Sequence, residues 1–279
     1  MMFYDEGIVS KIIHKILIYL ILIITCLLIF FPLLLIISSS FKTETEIFSY
    51  PISIIPRNIT YKNFIALFDK FPLYILNSFK VTITITIVQV ITAVTGGYAL
   101  SKLHWKGRDF IFLLYVSSIM IPFQVYIIPQ FIVIKTLGLY DTHLALILVS
   151  SFTAIGIFLT RQFFLTIPDS YIEAAQIYGA SHFYIFTRIV LPLSKPVVAT
   201  LIVLSFRYWW NDLFTPLIYI TSQHLKTLPL GLSDFISEYD VYYGPQMAAS
   251  LISIIPVVLL YVVAQKYIVK GVVFSGVKG

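Results

Sequence analysis

Six consecutive residues concentrate polar chemistry inside an otherwise apolar stretch: Arg207, Tyr208, Trp209, Trp210, Asn211 and Asp212. Arg207 and Asn211 lie four apart and share a helix face, as do Tyr208 and Asp212. Charged and amide groups set among aromatic rings suit a hydroxyl-rich solute, because rings cover C–H patches while polar ends bond hydroxyls. The same residues equally suit a polar anchor between packed helices. Gln124 and Gln89, each inside another apolar stretch, are read in the same two ways. The candidate solute path is therefore Arg207, Trp210, Asn211, Asp212 and Gln124, with helix anchoring as the alternative.

A second cluster is TIPDSYIEAAQIYGASHFYIFTRIVLPLSKP, residues 166–196. Pro168 and Asp169 punctuate the end of a helix, and Ser170 followed by Glu173 has capping-box spacing. This predicts a short helix over 171–178, ended by Gly179, which accepts a left-handed conformation. Ser181 is placed to cap a second helix, on which Phe183, Phe186 and Ile189 or Val190 share one face. Ala174 and Ala175 permit close approach of another surface, and Glu173 offers charge to a basic partner. Such order in a connecting segment points to docking.

Covalent chemistry finds no support. The chain has no G-x-x-x-x-G-K-[ST] loop, no H-E-x-x-H and no G-x-S-x-G. His14, His104, His143, His182 and His224 are scattered, and Cys26 is a lone thiol in an apolar run, so no metal site or cofactor is expected.

The elements that carry these clusters follow from composition. Of 279 residues, 59% are apolar and 11% charged, less than half the charge of an ordinary globular domain. A soluble domain could not cover its surface with so few charges, and disordered chains are poor in apolar residues. The fold class is all-α and polytopic, with six transmembrane helices at about 16–37, 76–100, 110–134, 144–164, 196–220 and 247–264. Pro32, Pro122 and Pro129 fall inside spans, where membrane helices tolerate them. The net charge of +6 sits mainly beside apolar runs, so it reads as topology, not nucleic-acid binding. With the N-terminus inside, Lys11, Lys15, Lys102, Lys106, Arg108, Arg161, Arg188, Lys195, Lys266, Lys270 and Lys278 are cytoplasmic, as are both ends. The expected organisation is a first segment at 1–71 with one span and an outer loop, a core at 72–270 containing the loop 166–195, and a tail at 271–279. Asp234, Glu238, Tyr239, Asp240, Tyr242 and Tyr243 form an acidic, aromatic outer patch, either simply solvated or docking a partner.

Glu173-Ala174-Ala175, Gly179-Ala180, Ile189, Pro192 and Pro196 resemble the EAA loop of permease subunits of binding-protein-dependent ABC importers. Tyr98-Ala99-Leu100, Met120-Ile121-Pro122, Gly138-Leu139, Trp210-Asn211, Thr227-Leu228-Pro229 and the ending Gly276-Val277-Lys278-Gly279 resemble the carbohydrate-uptake branch, of maltose-permease type. One position departs: Tyr178 stands where the family pattern usually has an aspartate. The resemblance implies a type I importer permease in the bacterial cytoplasmic membrane. It implies ATPase coupling through Glu173, Ala174, Ala175, Gly179 and Ala180. The implied partners are a homologous second permease, a cytoplasmic ATPase dimer, an extracytoplasmic solute-binding protein and membrane lipid. The solute would be a sugar or sugar-like compound. The rival reading is a stand-alone secondary carrier or channel, which would normally place ionisable residues in several spans.

Overall fold

The computed structural model describes residues 6–233 and 242–276, and all regular elements among them are helical. In chain order these are α1 (Glu6–Ser40), α2 (Glu44–Ile47), α3 (Lys62–Ile65), α4 (Phe71–Ser101), α5 (Arg108–Ser118), α6 (Phe123–Thr136), α7 (His143–Val149) and α8 (Ala154–Leu165). They continue with α9 (Ser170–Ile177), α10 (His182–Ile185), a π-helical turn (Phe186–Val190), α11 (Leu191–Leu193), α12 (Lys195–Trp210), α13 (Phe214–Tyr219), a 3₁₀ turn (Gln223–Leu225), α14 (Leu228–Leu232) and α15 (Tyr243–Gly276).

Among the described residues, three helices are long and apolar enough to cross a membrane unbroken: Ser10–Ser40, Phe71–Ser101 and Tyr243–Lys266. Three more candidates are bent pairs: α5 with α6 at 99°, α7 with α8 at 46°, and His182–Leu193 with Lys195–Trp210 at 77°. Counting each pair as one span gives six.

The bends have local causes. Pro122 has no amide to give, and it adopts extended dihedrals (φ −66°, ψ 144°) as the residue before α6. The expected span at 110–134 is therefore two helices. The expected span at 144–164 breaks over Ser150–Thr153, where the Thr153 hydroxyl accepts from the Gly156 amide at 3.1 Å and restarts the helix as α8. The expected fifth helix at 196–220 stops at Trp210 and resumes at Phe214, with Asn211 as the cap residue.

The described residues form two compact units, one drawn from Met1–Asp69 and Phe235–Ile252, the other from Lys70–Asp234 and Ser253–Gly279. In the first unit, α1 is apolar on every side, and large side chains from Ile12 to Phe31 are exposed. A helix without a polar face requires an apolar environment outside its own chain. Below it, Asn63 Nδ2 donates to the carbonyls of Ser40 (2.9 Å) and Lys42 (2.8 Å). The Gly244 amide donates to Glu44 Oε1 at 2.7 Å, and Phe48 meets Tyr243 edge-on at 4.9 Å.

In the second unit, α4 packs against α8 and α12. The α4–α8 approach is so close that a Cβ at Gly97 would lie 2.2 Å from Thr160 Oγ1. Thr160 Oγ1 donates to the Ala93 carbonyl at 2.7 Å, so a small residue and a hydroxyl bring the two backbones together. Val81, Ile85, Leu146 and Tyr219 form one buried cluster along α4, and Val94, Tyr98, Phe164 and Ile185 contribute to another. Arg161 on α8 donates to the Leu100 carbonyl (2.9 Å) and to Asp109 (2.8 Å), with its guanidinium 3.9 Å from the Phe112 ring centroid. One side chain thus joins α8, the end of α4 and the start of α5.

Candidate coupling and solute-path sites

The segment after α8 is a helix-turn-helix held from behind. Helix α9 ends in a Schellman motif: the Gly179 amide donates to the Gln176 carbonyl at 2.9 Å and the Ala180 amide to the Ala175 carbonyl at 3.0 Å. Gly179 has φ +78°, a conformation that L side chains rarely adopt. Ala175 and Ala180, the two ends of the longer bond, are both half-buried against the same apolar cluster. Ser181 then caps α10, accepting from the Tyr184 amide at 3.3 Å.

The start of α9 differs from the expected capping box. Ser170 is already helical, Asp169 takes the cap position, and no side-chain cap bond forms there. The Asp169 carboxylate is engaged elsewhere, 2.6 Å from Lys102 Nζ. Lys102 also donates to the Ile167 carbonyl at 2.6 Å. The Tyr98 hydroxyl donates to the His182 carbonyl at 3.3 Å, and its ring lies 5.0 Å from that of Phe186.

The segment therefore has two faces. Ile172, Ile185 and Val190 are buried against α4 and α8. Phe183, expected to share one face with Phe186, is 76% exposed while Phe186 is half-buried, and Ile185 is the residue of α10 that is fully buried. Glu173, Ala174 and Gly179 are exposed, and beside them Ile177 (84%) and Tyr178 (91%) stand clear of the protein.

A cavity of about 600 Å³ opens within the second unit among α4, the α5–α6 and α7–α8 breaks and α12. This is the size of a small-molecule site. Its polar lining includes Gln89, Ser118, Ser150, Thr153, Ser205 and Arg207, and Tyr126, Tyr208 and Trp209 add aromatic surface. Gln89 is buried and fixed at both ends: Nε2 donates to the Ser150 carbonyl at 2.6 Å, and Oε1 accepts from Ser205 Oγ at 2.8 Å.

Of the residues singled out for a solute path, Arg207 lines this cavity. Trp210, Asn211, Asp212 and Gln124 lie outside its lining. Trp210 is 1% exposed, stacks on Phe206 at 5.5 Å and donates from Nε1 to the Ser253 carbonyl at 2.8 Å. That is the geometry of an internal anchor. Asn211 Nδ2 donates to the Arg207 carbonyl at 2.8 Å, and Asp212 Oδ1 lies 3.4 Å from the Thr215 amide. Gln124 is exposed in the first turn of α6. Asp234, Glu238, Tyr239 and Asp240 of the acidic patch lie outside the described residues, while Tyr242 is exposed. Sequence reading did not single out Ser150, nor the burial of Lys102. Hydropathy and loop charge give no signal for either.

The family described as "Binding-protein-dependent transport system inner membrane component" matches residues 90–273. The chain is 35% identical, over 89% of its length and 91% of the relative's, to the arabinooligosaccharides transport system permease protein AraQ of Halalkalibacterium halodurans. It is 32% identical to the sn-glycerol-3-phosphate transport system permease protein UgpE of Yersinia pestis, over 92% of this chain and 95% of the relative. Among solved structures, it is similar to a chain of a bacterial ABC transporter involved in the import of the acidic polysaccharide alginate, with a TM-score of 0.83, 25% identity, and coverage of 92% of this chain and 97% of that one. The helical fold, the matched core and relatives aligned along nearly the whole chain agree, and the chain belongs to the family of binding-protein-dependent transport system inner membrane components.

Proposed function

We propose that this chain is the permease subunit of an ATP-driven importer that carries a sugar or sugar-like solute across the cytoplasmic membrane. The carrying observation is the two-faced segment 166–195: its inner face is fixed to α4 by Lys102, Tyr98 and buried aliphatics, while Glu173, Ala174, Ile177 and Tyr178 remain exposed. A rigid knob with an open outer face can transmit force, whereas a floppy connection cannot. Glu173, Ala174, Ala175, Gly179 and Ala180 form the seat for a separate ATPase dimer. Closure of that dimer on ATP moves the helices through the knob.

A homologous second permease completes the membrane part, and an extracytoplasmic binding protein delivers the solute. Both termini are cytoplasmic, in keeping with the basic residues beside the spans. The transport core is 72–270, followed by a cytoplasmic tail at 271–279. A sugar-like solute is supported by relatives named for arabinooligosaccharide and glycerol-phosphate transport and by the structural neighbour involved in alginate import. Arg207 belongs to the path, and Trp210, Asn211, Asp212 and Gln124 stay candidates for it once the partner permease is in place.

The test is co-purification from the native membrane with an ATPase subunit, followed by ATP hydrolysis with and without the binding protein. Stable co-elution and stimulated hydrolysis are expected, and Glu173→Lys should abolish the stimulation without preventing insertion. Solute flux by the lone chain in liposomes, with no ATPase bound, would replace this reading with a secondary carrier.

A further inference from the structure

We propose that the loop after α1, residues 41–61, is an interfacial anchor that inserts its apolar side chains among the lipids at the membrane edge. The inference rests on α1 crossing the membrane and not on what the protein carries. It begins with an apolar surface outside the spans. Six large side chains between 48 and 59 are exposed: Phe48, Tyr50 (96%), Ile52, Ile54, Ile55 (79%) and Ile59. The same stretch holds no acidic residue and one basic residue, Arg57. Apolar patches of this extent mark a surface that something covers.

The polarity of the loop is the reverse of that expected in water. Its fastenings are buried polar groups. The Ser38 hydroxyl donates to the Ile54 carbonyl and the Lys42 ammonium to the Ser53 carbonyl, and both side chains are buried. The Ser53 hydroxyl oxygen is also buried, with no partner among the described residues. The Thr60 amide donates to the Phe41 carbonyl at 2.9 Å, and the Arg57 amide to Glu46 Oε1 at 2.6 Å. The loop is therefore ordered from within, and its isoleucines are held outward. Polar groups satisfied inside and apolar groups outside suit a surrounding of lipid.

The fastenings also fix the level of the loop. The apolar run of α1 from Ile16 to Ile37 is about 33 Å long at about 1.5 Å per residue, enough for a hydrocarbon core about 30 Å thick. Ser38 is the next residue, and it holds Ile54. A second span gives the same level: Phe48 meets the ring of Tyr243, the first residue of the span Tyr243–Lys266. Apolar side chains at that level enter the boundary between headgroups and acyl chains by about 5–10 Å. Tyr50 is of the type enriched there, with an apolar ring and a polar end. A docked protein would have to reach the patch through the lipid around the end of α1. With a single cation in the stretch, insertion is apolar and needs no anionic lipid.

The experiment uses the full-length chain in phosphatidylcholine liposomes, with any co-purifying subunits retained. Cys26→Ser removes the lone native thiol. A nitroxide is then attached through Ile52→Cys, Ile55→Cys, Asn58→Cys or Leu28→Cys in turn. Leu28, 70% exposed in α1, is the lipid reference, and Asn58, exposed beside Arg57, is the headgroup reference. Collision with oxygen, which concentrates in lipid, is compared with collision with a water-soluble nickel chelate. The oxygen-to-chelate ratio at 52 and 55 should be severalfold above that at 58 and approach that at 28, with no change when phosphatidylglycerol is added. Ratios at 52 and 55 no higher than at 58 would overturn the proposal. So would protection of both sites from both reagents, which would mean that a protein covers the patch, and so would lipid contact that needs phosphatidylglycerol. Tyr50→Cys repeats the measurement elsewhere in the loop, so that one poorly folded variant does not decide the outcome. ATP hydrolysis is scored on the same sample, so loss of the importer reading would leave the anchor standing.

Discussion

Lys102 Nζ lies 2.6 Å from Asp169 Oδ1, with the lysine side chain 2% exposed and the aspartate 66%. The lysine terminates α4 as its cap residue, and the aspartate precedes α9. This pair, together with the 2.6 Å bond from Lys102 to the Ile167 carbonyl, seats the knob on the longest helix of the second unit. The asymmetry in exposure decides which partner matters. Water screens the aspartate, so the ion pair itself is modest. The lysine and the carbonyl are buried, and losing a buried bond costs more than losing an exposed one.

Lys102→Met should therefore be the more damaging change. It leaves the Ile167 carbonyl unpaired, at a cost of about 1–3 kcal/mol. Asp169→Asn keeps a polar partner in place and should cost less than about 1 kcal/mol. Thermal unfolding of the two variants measures the order, and coupled ATP hydrolysis should fall in the same order. Equal losses would mean that the pair acts through Asp169 at the surface and not by seating the segment.

Gly179 carries the turn between α9 and α10 at φ +78°, with nothing within 4 Å of a built Cβ. Space is not the constraint, so substitutions should rank by backbone preference alone. Gly179→Asn should be mild, and Gly179→Ala should cost about 1–2 kcal/mol. Gly179→Val should be worse, because branching disfavours the left-handed region. Transport in membrane vesicles at matched protein level reads the ranking. A smooth dependence on side-chain volume would instead mean that the glycine is needed for contact with a partner.

The turn at Gly179 was legible in the sequence because its cause is local. Gly179-Ala180 and Gly138-Leu139 close their helices in the same way. The Gly138 amide donates to Lys135 and the Leu139 amide to Ile134, each at 3.1 Å, with Gly138 at φ +70°. Apolar length likewise marked the membrane segments. The capping box at Ser170 was not realised, because the choice between capping α9 and binding Lys102 depends on where α4 ends in space. The break after Val149 carries no proline or glycine, and its local sign, Thr153 capping α8, is a residue type that α4 carries in mid-helix at Thr84 and Thr95, so the sequence alone does not mark it. Trp210 and Arg207 are three residues apart, and their separation into anchor and cavity wall depends on what α12 packs against.

Gly97 predicts a failure of a different kind. A Cβ there would lie 2.2 Å from Thr160 Oγ1, 2.7 Å from Thr160 Cβ and 3.0 Å from the Arg161 amide. The last is backbone and cannot swing aside. Gly97→Ala should destabilise by about 1–3 kcal/mol through overpacking, although alanine is the better helix former. Thr160→Gly in the same chain should recover part of the loss by removing the nearer two atoms. Expression level and unfolding temperature of the single and double variants test this. A single variant as stable as the parent would mean that α4 and α8 are less closely packed than their hydrogen bonds require.

Asp141 gives the pH dependence. It sits between α6 and α7 at φ 59°, a left-handed position that aspartate tolerates. The Ser222 hydroxyl donates to its carboxylate, as do the amides of Ser222 (2.9 Å) and Thr221 (2.8 Å). The Ser222 hydroxyl first, then these amides, hold the Asp141 carboxyl below the usual carboxylate range. A carboxyl lowered on folding contributes stability that is present above its unfolded value and lost as pH falls through its folded one. The tie between the α6–α7 connection and the residues after α13 should therefore hold at neutral pH and loosen below about pH 4. Hydrogen exchange at the Thr221 and Ser222 amides is the direct measurement, with protection expected to collapse over that acidic window. Asp141→Asn keeps the left-handed turn and one acceptor oxygen but removes the charge, so its protection should be lower at neutral pH and flat on acidification. An acid transition that persisted unchanged in Asp141→Asn would assign the titration to another group and leave the carboxylate as a spectator.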